Sequence, residues 1–169
     1  MMLLKDYLPN INKKFKNLNF SGLAFNSKEV KKNYIFIAIK GDKFDGNNFI
    51  NDAIKNGAKI IISSKFKDQI KNNFIYLNQN NPRQILSHLS SKIFKKLPKN
   101  LIAVTGTNGK TSIANFYYQI LKQNKKKAAY FGTLGISGKS HIENTSNTTF
   151  DPIKIGKNLN YLEKKKLIM

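Results

Sequence analysis

The stretch from 104 to 112 reads V-T-G-T-N-G-K-T-S and combines the residue types that bind phosphate. Glycines at 106 and 109 allow a tight turn that brings backbone N–H groups and a helix N-terminus to an anion. Lys110 would bridge the β and γ phosphates as the catalytic cation, and the Thr111 hydroxyl would bind the Mg²⁺ that they share. The pattern predicts an ATP and Mg²⁺ site. Its predicted nucleotide-binding residues are Gly106, Thr107, Asn108, Gly109, Lys110, Thr111 and Ser112.

This loop requires a strand before it and a helix after it. The apolar run Leu101–Thr105 predicts the strand, and Thr111–Gln123 has helical spacing. A further strand is predicted at Ala128–Phe131, which gives the opening unit of a parallel α/β sheet. A helix is expected from Ile153 to Leu162 and the start of a strand at 167–169. The helix after the loop should turn these residues inward: Ile113, Phe116, Tyr117, Ile120 and Leu121.

The part of the chain before the loop alternates short β-rich runs with amphipathic helices. Buried strands are predicted at 34–39, 58–63 and 74–77, with helices at 49–54 and 85–94. The polar, proline-containing segment 95–100 predicts a domain boundary. We therefore expect an α/β fold in two parts: a small domain, 1–97, and the truncated start of a P-loop parallel-sheet domain, 98–169. Two strands and two helices cannot cover both faces of a sheet, so an N-terminal fragment is expected.

Composition limits the classes of function. The 30 Lys and Arg residues against 9 Asp and Glu give a formal charge of +21, but Arg83 is the single arginine. Because nucleic-acid recognition favours the bidentate guanidinium, scattered lysines predict no nucleic-acid partner. The sequence contains no cysteine, which excludes thiolate chemistry. No apolar run approaches the roughly 18 residues of a membrane span, so a cytoplasmic protein without membrane insertion is expected. We also expect a monomer.

The loop and its surroundings resemble the Mur ligase family. G-T-N-G-K-T-S after a strand is similar to the ATP site of that family. Ser27, Phe36, Gly41 and the pairs Asp45 Gly46 and Gly57 Ala58 follow the order of its UDP-sugar-binding first domain. F-G-T-L-G-I at 131–136 and N-T-T at 147–149 are similar to the members that add the third amino acid of the peptide. Two places depart from the pattern: Asn26 Ser27 Lys28 replaces Asp Ser Arg, and Lys32 Asn33 Tyr34 replaces Pro Gly Asp.

The resemblance implies an ATP-dependent ligase of peptidoglycan precursor synthesis. It would join an amino acid, diaminopimelate or lysine, to UDP-N-acetylmuramoyl-L-alanyl-D-glutamate, and the fragment alone would be inactive. Ser27 and Asp45 would contact the UDP end. Asn147, Thr148 and Thr149 would hold the muramoyl peptide.

Simpler interpretations and other functions remain open. Ser27 and Asp45 Gly46 are also typical turn residues, and Thr148 and Thr149 could cap the helix that follows. A ligase that adds the terminal dipeptide is one alternative function. A basic P-loop module that binds nucleotide and nucleic acid, with strongly salt-dependent binding, is an alternative of another class.

Overall fold

The computed structural model describes residues 1–8, 11–42, 44–137 and 151–165. The chain divides into two compact units, Met1–Lys92 and Ile93–Met169. The predicted domain limits, 1–97 and 98–169, remain a prediction, because compactness alone does not define a folding unit.

The first unit is built on a five-stranded sheet. A short antiparallel pair comes first, β1 (Met2–Leu3) with β2 (Asn19–Phe20). The main sheet has the order β3-β4-β5-β7-β6; β3, β4, β5 and β7 are parallel and β6 is antiparallel. Its strands are β3 (Gly22–Ala24), β4 (Tyr34–Ile37), β5 (Ala58–Ser63), β6 (Gln69–Lys71) and β7 (Phe74–Asn78).

Three helices belong to this part of the chain: α1 (Leu4–Tyr7), α2 (Ile50–Lys55) and α3 (Pro82–Ile93). Consecutive isoleucines of β5, 60–62, are fully buried, as expected for a parallel sheet covered on both faces. Ile50 and Ala53 of α2 share a core cluster with Phe36 and Ile61 of the sheet. The strands and helices predicted before residue 95 are therefore confirmed, with ends that shift by a few residues.

Local chemistry sets the ends of these elements. Gly57 follows α2 at φ +109°, a conformation that favours glycine. Asn33 adopts φ +63°, since asparagine tolerates the left-handed region. The side chain of Asn81 caps α3 by accepting the Gln84 N–H at 3.1 Å.

The second unit contains α4 (Lys110–Gln123), the antiparallel pair β8 (Tyr130–Gly132) and β9 (Gly135–Ser137), and α5 (Pro152–Lys164). Asp151 caps α5 by accepting the Lys154 N–H at 2.8 Å, and Pro152 occupies its first turn. Ile153, Leu159 and Leu162 are buried, so the predicted helix there is confirmed. The α/β class is confirmed as well.

Two predictions for the second unit are wrong. Leu101–Thr105 forms no regular secondary structure and is largely exposed. A strand must satisfy its backbone groups on a neighbour, and in the described ranges β8 pairs antiparallel with β9 rather than parallel to this segment. The predicted inward face of α4 is exposed, with Ile113 at 58%, Phe116 at 62% and Ile120 at 54%. The strand expected at 167–169 lies outside the described residues.

Candidate nucleotide and substrate sites

The loop from 106 to 109 turns sharply into α4. Gly106 has φ +148° and Gly109 has φ +75°, conformations that residues with a Cβ rarely adopt. The first helical hydrogen bond back to the loop runs from the Ile113 N–H to the Gly109 carbonyl, 2.9 Å. In the described ranges no side chain caps this end of α4. The helix N-terminus is therefore open to an anion.

Lys110, the first residue of α4, folds back over the loop. Its ammonium donates to the carbonyl oxygens of Gly106 at 2.5 Å and Thr107 at 3.0 Å. The positive charge thus lies against the loop backbone, where it can exchange carbonyl partners for phosphate oxygens. Thr107, Asn108 and Ser112 are exposed beside it. The structure brings the predicted loop residues together; their binding role stays a prediction.

Thr111 places a hydroxyl next to Lys110 at the start of α4. Its Oγ1 lies 3.0 Å from Oγ1 of Thr133, in the turn between β8 and β9. A hydroxyl oxygen is the hard donor that Mg²⁺ accepts, and the ion keeps phosphate and water oxygens as its other ligands. Across the described residues no group of three His, Asp or Glu side chains could hold a metal alone. The role of Thr111 as a ligand of an ion shared with a nucleotide stays a prediction.

In the first unit, the predicted UDP-binding residues follow the carboxyl ends of two adjacent parallel strands. Ser27 comes three residues after β3 and is buried, in a 3₁₀ helix (Ser27–Glu29) capped by the Asn26 side chain. Asp45 lies in the segment after β4. Ligands of open α/β sheets bind at this edge, so the topology places both residues on its ligand-binding side.

The carboxylate of Asp45 is already engaged by its own loop. Oδ1 accepts the Asn47 N–H at 2.9 Å and its amide Nδ2 at 2.6 Å, which caps a 3₁₀ helix (Gly46–Phe49). Oδ2 pairs with the Lys65 ammonium at 2.7 Å. The Ser63 hydroxyl at the end of β5 donates to Asn47 Oδ1 at 2.6 Å. This side-chain network fastens the loop after β4 to the end of β5.

The network also determines the charge state of Asp45. The Lys65 ammonium, followed by the Asn47 N–H and amide, holds the pKa of the Asp45 carboxyl well below its usual range. Asp45 therefore remains an anion through the physiological range and serves as a fixed acceptor.

Sequence reasoning missed the partners of these residues. Asn47, Ser63 and Lys65 complete the Asp45 network, and Thr133 contacts Thr111. Ser63 could have been found because it ends a buried strand at the ligand edge. Lys65 could not, since lysine occurs throughout the chain. Asn147, Thr148 and Thr149 lie outside the described residues.

A cavity of about 270 Å³ lies away from these sites, near the amino ends of the strands. Ligands of open α/β sheets bind at the opposite edge, outside the carboxyl ends of the strands. The residues that line the cavity are Asn17, Leu18, Asn19, Asn33, Lys59 and Ile75. In the described part of the chain, no helix has the length and apolar character needed to cross a membrane.

Comparison with known protein families gives two matches that together span most of the chain. Residues 19–96 match the sequence model of the Mur ligase family, catalytic domain. Residues 104–169 match that of the Mur ligase middle domain.

Individual relatives agree with the family matches. The chain is 42% identical over 152 residues to the UDP-N-acetylmuramoyl-L-alanyl-D-glutamate--2,6-diaminopimelate ligase of Rickettsia prowazekii, covering 88% of this chain and 31% of the relative. It is 35% identical over 164 residues to ligase 2 of the same name from Clostridium acetobutylicum, covering 91% and 34%. The chain thus spans about a third of the length of these relatives.

Two solved structures share the fold. A UDP-N-acetylmuramoyl-L-alanyl-D-glutamate--2,6-diaminopimelate ligase superposes with a TM-score of 0.76 at 25% identity, over 98% of this chain and 34% of that one. The MurF ligase from Thermotoga maritima in complex with ADP gives a TM-score of 0.55 at 30% identity, over 79% and 28%.

Proposed function

This chain belongs to the Mur ligase family, and from that premise we propose that it is the front part of an ATP-dependent ligase of peptidoglycan precursor synthesis. The complete enzyme would add 2,6-diaminopimelate to UDP-N-acetylmuramoyl-L-alanyl-D-glutamate, the reaction in the names of the relatives. It would act in the cytoplasm as a monomer. The chain by itself would bind ligands without turning them over.

The observation that carries this proposal is the geometry of the loop at 106–111. Two glycines at positive φ, an open helix N-terminus and a lysine folded over the turn form an anion cradle. A similar fold binds ADP in the Thermotoga maritima ligase. ATP is therefore the nucleotide that we assign to this loop.

The proposed reaction has two steps. The glutamyl carboxylate attacks the γ-phosphorus of ATP, ADP leaves, and an acyl phosphate forms. The amine of the incoming amino acid then attacks the acyl carbon; the C–N bond forms, phosphate leaves with the C–O electron pair, and the amine loses a proton. Lys110 would move from the Gly106 and Thr107 carbonyls onto the γ-phosphoryl oxygens and offset their charge during transfer. Mg²⁺, bound through Thr111, would supply further charge neutralisation.

The first unit would bind the UDP end of the substrate. Ser27 follows β3 at the ligand edge, where its hydroxyl would meet the nucleotide. Asp45 would act indirectly: its carboxylate holds Asn47 and Lys65, and so fixes its own segment after β4 to the segment that follows β5. By resemblance, Asn147, Thr148 and Thr149 would hold the muramoyl peptide.

The dipeptide-adding ligase is the second candidate in the same family. The superposition with the MurF ligase favours it, but that superposition is poorer and covers less of the chain than the one with the diaminopimelate ligase. The basic nucleic-acid-binding module rests on the net charge of +21 alone.

Calorimetric titration with UDP-N-acetylmuramoyl-L-alanyl-D-glutamate tests the proposal. We expect the chain to bind this compound, and Ser27→Ala to weaken binding about two- to tenfold, the effect of one hydrogen bond. Ser91→Ala on α3 is the matched control and should bind as the parent does. If the folded chain does not bind the compound but binds duplex DNA at moderate salt, the ligase proposal is overturned in favour of the nucleic-acid module.

A further inference from the structure

The turn between β8 and β9 presents one hydroxyl to the start of α4. Gly132 pairs with Gly135, which leaves Thr133 and Leu134 as a two-residue turn, and Gly135 has φ +99°. Thr133 Oγ1 lies 3.0 Å from Thr111 Oγ1, although the two residues are 22 positions apart in the sequence. The tip of this hairpin therefore touches the residue expected to bind the metal.

Ring packing fixes the hairpin beside α4. Tyr130 of β8 is buried, and its ring centroid lies 6.2 Å from that of Tyr118 on α4. Gly132 follows at the edge of the Tyr130 ring, where a Cβ would collide with the phenol. The Thr133 hydroxyl is thus held at Thr111 by the body of the hairpin and not by its own side chain alone.

A hydroxyl that binds a cation has a specific requirement. It must turn a lone pair to the metal and give its proton to another acceptor. Thr133 Oγ1 is an acceptor at hydrogen-bonding distance. If Thr111 donates to Thr133, its lone pairs face away from the hairpin and are free for the ion.

We propose that Thr133 is a positioning residue that orients the Thr111 hydroxyl for the Mg²⁺ of a bound nucleotide. This inference rests on the proposed function, since it takes the loop at 106–111 as a nucleotide site. A purely structural role for the contact is the alternative. Thr133 is exposed, and a hydrogen bond between exposed hydroxyls competes with water and adds little stability. Removing the Thr133 hydroxyl should therefore change metal dependence more than folding.

The test compares ADP binding with excess EDTA and with saturating Mg²⁺, by calorimetry on the whole chain. The ratio of the two affinities is the magnesium enhancement. In Thr133→Val, which keeps the side-chain shape, we expect unchanged metal-free ADP affinity and an enhancement that falls about three- to tenfold. Thr133→Ser keeps the hydroxyl and should retain the enhancement. Far-UV circular dichroism of each variant checks the fold.

A double variant separates positioning from direct binding. Thr111→Val alone should lower the enhancement, and adding Thr133→Val should lower it no further, because both changes remove one interaction. Normal magnesium enhancement in Thr133→Val, or additive losses in the double variant, would overturn the inference and leave the proposed function intact. If the parent chain binds no ADP under either condition, the proposed function fails and this inference fails with it.

Discussion

The two units of the chain differ in how far they bury apolar side chains that the sequence pattern predicts to face a core. The strands β4 and β5 bury Phe36 and Ile61 completely, whereas α4 exposes Phe116 to 62%. Both patterns are expected of elements that face a core: a continuous apolar run in each strand and helical spacing of apolar residues in α4. In the first unit, neighbouring strands and helices supply the cover. In the part of the second unit that the structure describes, nothing covers the apolar side of α4. The apolar pattern of an element thus predicts which of its side chains favour burial, but it does not predict which other residues will cover them.

Truncating an apolar side chain to alanine should give the largest difference in stability loss between the two units. Ile61→Ala removes a fully buried side chain from the sheet and should lower the free energy of unfolding by about 2–5 kcal/mol. Phe116→Ala removes a larger but exposed side chain and should change it by no more than about 0.5 kcal/mol. Urea unfolding followed by circular dichroism measures both, with Ile113→Ala as a second exposed control. Equal losses for Ile61→Ala and Phe116→Ala would mean that α4 is covered in solution.

Substitution of a glycine at positive φ should also cost more stability in the first unit than in the second. A Cβ at Gly57 would lie 2.8 Å from Lys32 Cα at φ +109°, while at Gly109, φ +75°, the nearest atom would be Ile113 Cδ1 at 3.8 Å. Gly57→Ala combines backbone strain with overpacking and should cost about 2–4 kcal/mol. Gly109→Ala has strain alone and should cost about 1–2 kcal/mol. Thermal unfolding would contradict the contrast if the Gly109 variant proved the less stable.

The smallest expected effect on stability comes from the charged side chain that lies in the functional loop of each unit. Asp45 is fixed by Lys65 and Asn47, whereas Lys110 is held by loop carbonyls. Because its folded-state pKa lies below the unfolded value of about 3.9, the ionised Asp45 stabilises the fold above that pH. This stabilisation is lost as the pH falls through the folded-state value.

Asp45→Asn keeps an oxygen for the Asn47 N–H but removes the charge. Its melting temperature should fall slightly below that of the parent at pH 7, and the gap should narrow below about pH 4. Asp52→Asn on α2, the same change without a Lys65 contact, is the control. A gap that stays constant from pH 7 to pH 3 would show that the ion pair with Lys65 does not stabilise the fold.

The sequence predicted elements whose partners lie near them in the chain. Strand β5 and helix α2 follow from local apolar patterns and from Gly57 at the turn between them. The alternation of strands and helices along the first unit follows from the same local patterns. The loop at 106–111 is equally local, since glycine, lysine and threonine act through adjacent backbone.

Failures occurred where structure depends on distant partners. Leu101–Thr105 has the composition of a strand but pairs with no strand in the described ranges, so composition alone misled the prediction. Thr133 is an ordinary turn residue in sequence, and only the approach of the hairpin to α4 places it against Thr111. The role of Lys65 likewise depends on its ion pair with Asp45, 20 positions away in the sequence, and could not be predicted from local sequence.

The central claim, that the loop at 106–111 is a nucleotide site, is tested most directly by calorimetric titration of the whole chain with Mg-ATP. Lys110→Ala is the test variant. Lys122→Ala, an equal change of charge at an exposed position of α4, is the control. The parent and the control should bind, and Lys110→Ala should bind at least about tenfold more weakly, because hydrogen bonds to charged groups contribute about 1.5–3 kcal/mol. Equal binding by all three proteins, or none by a folded parent, would contradict the claim.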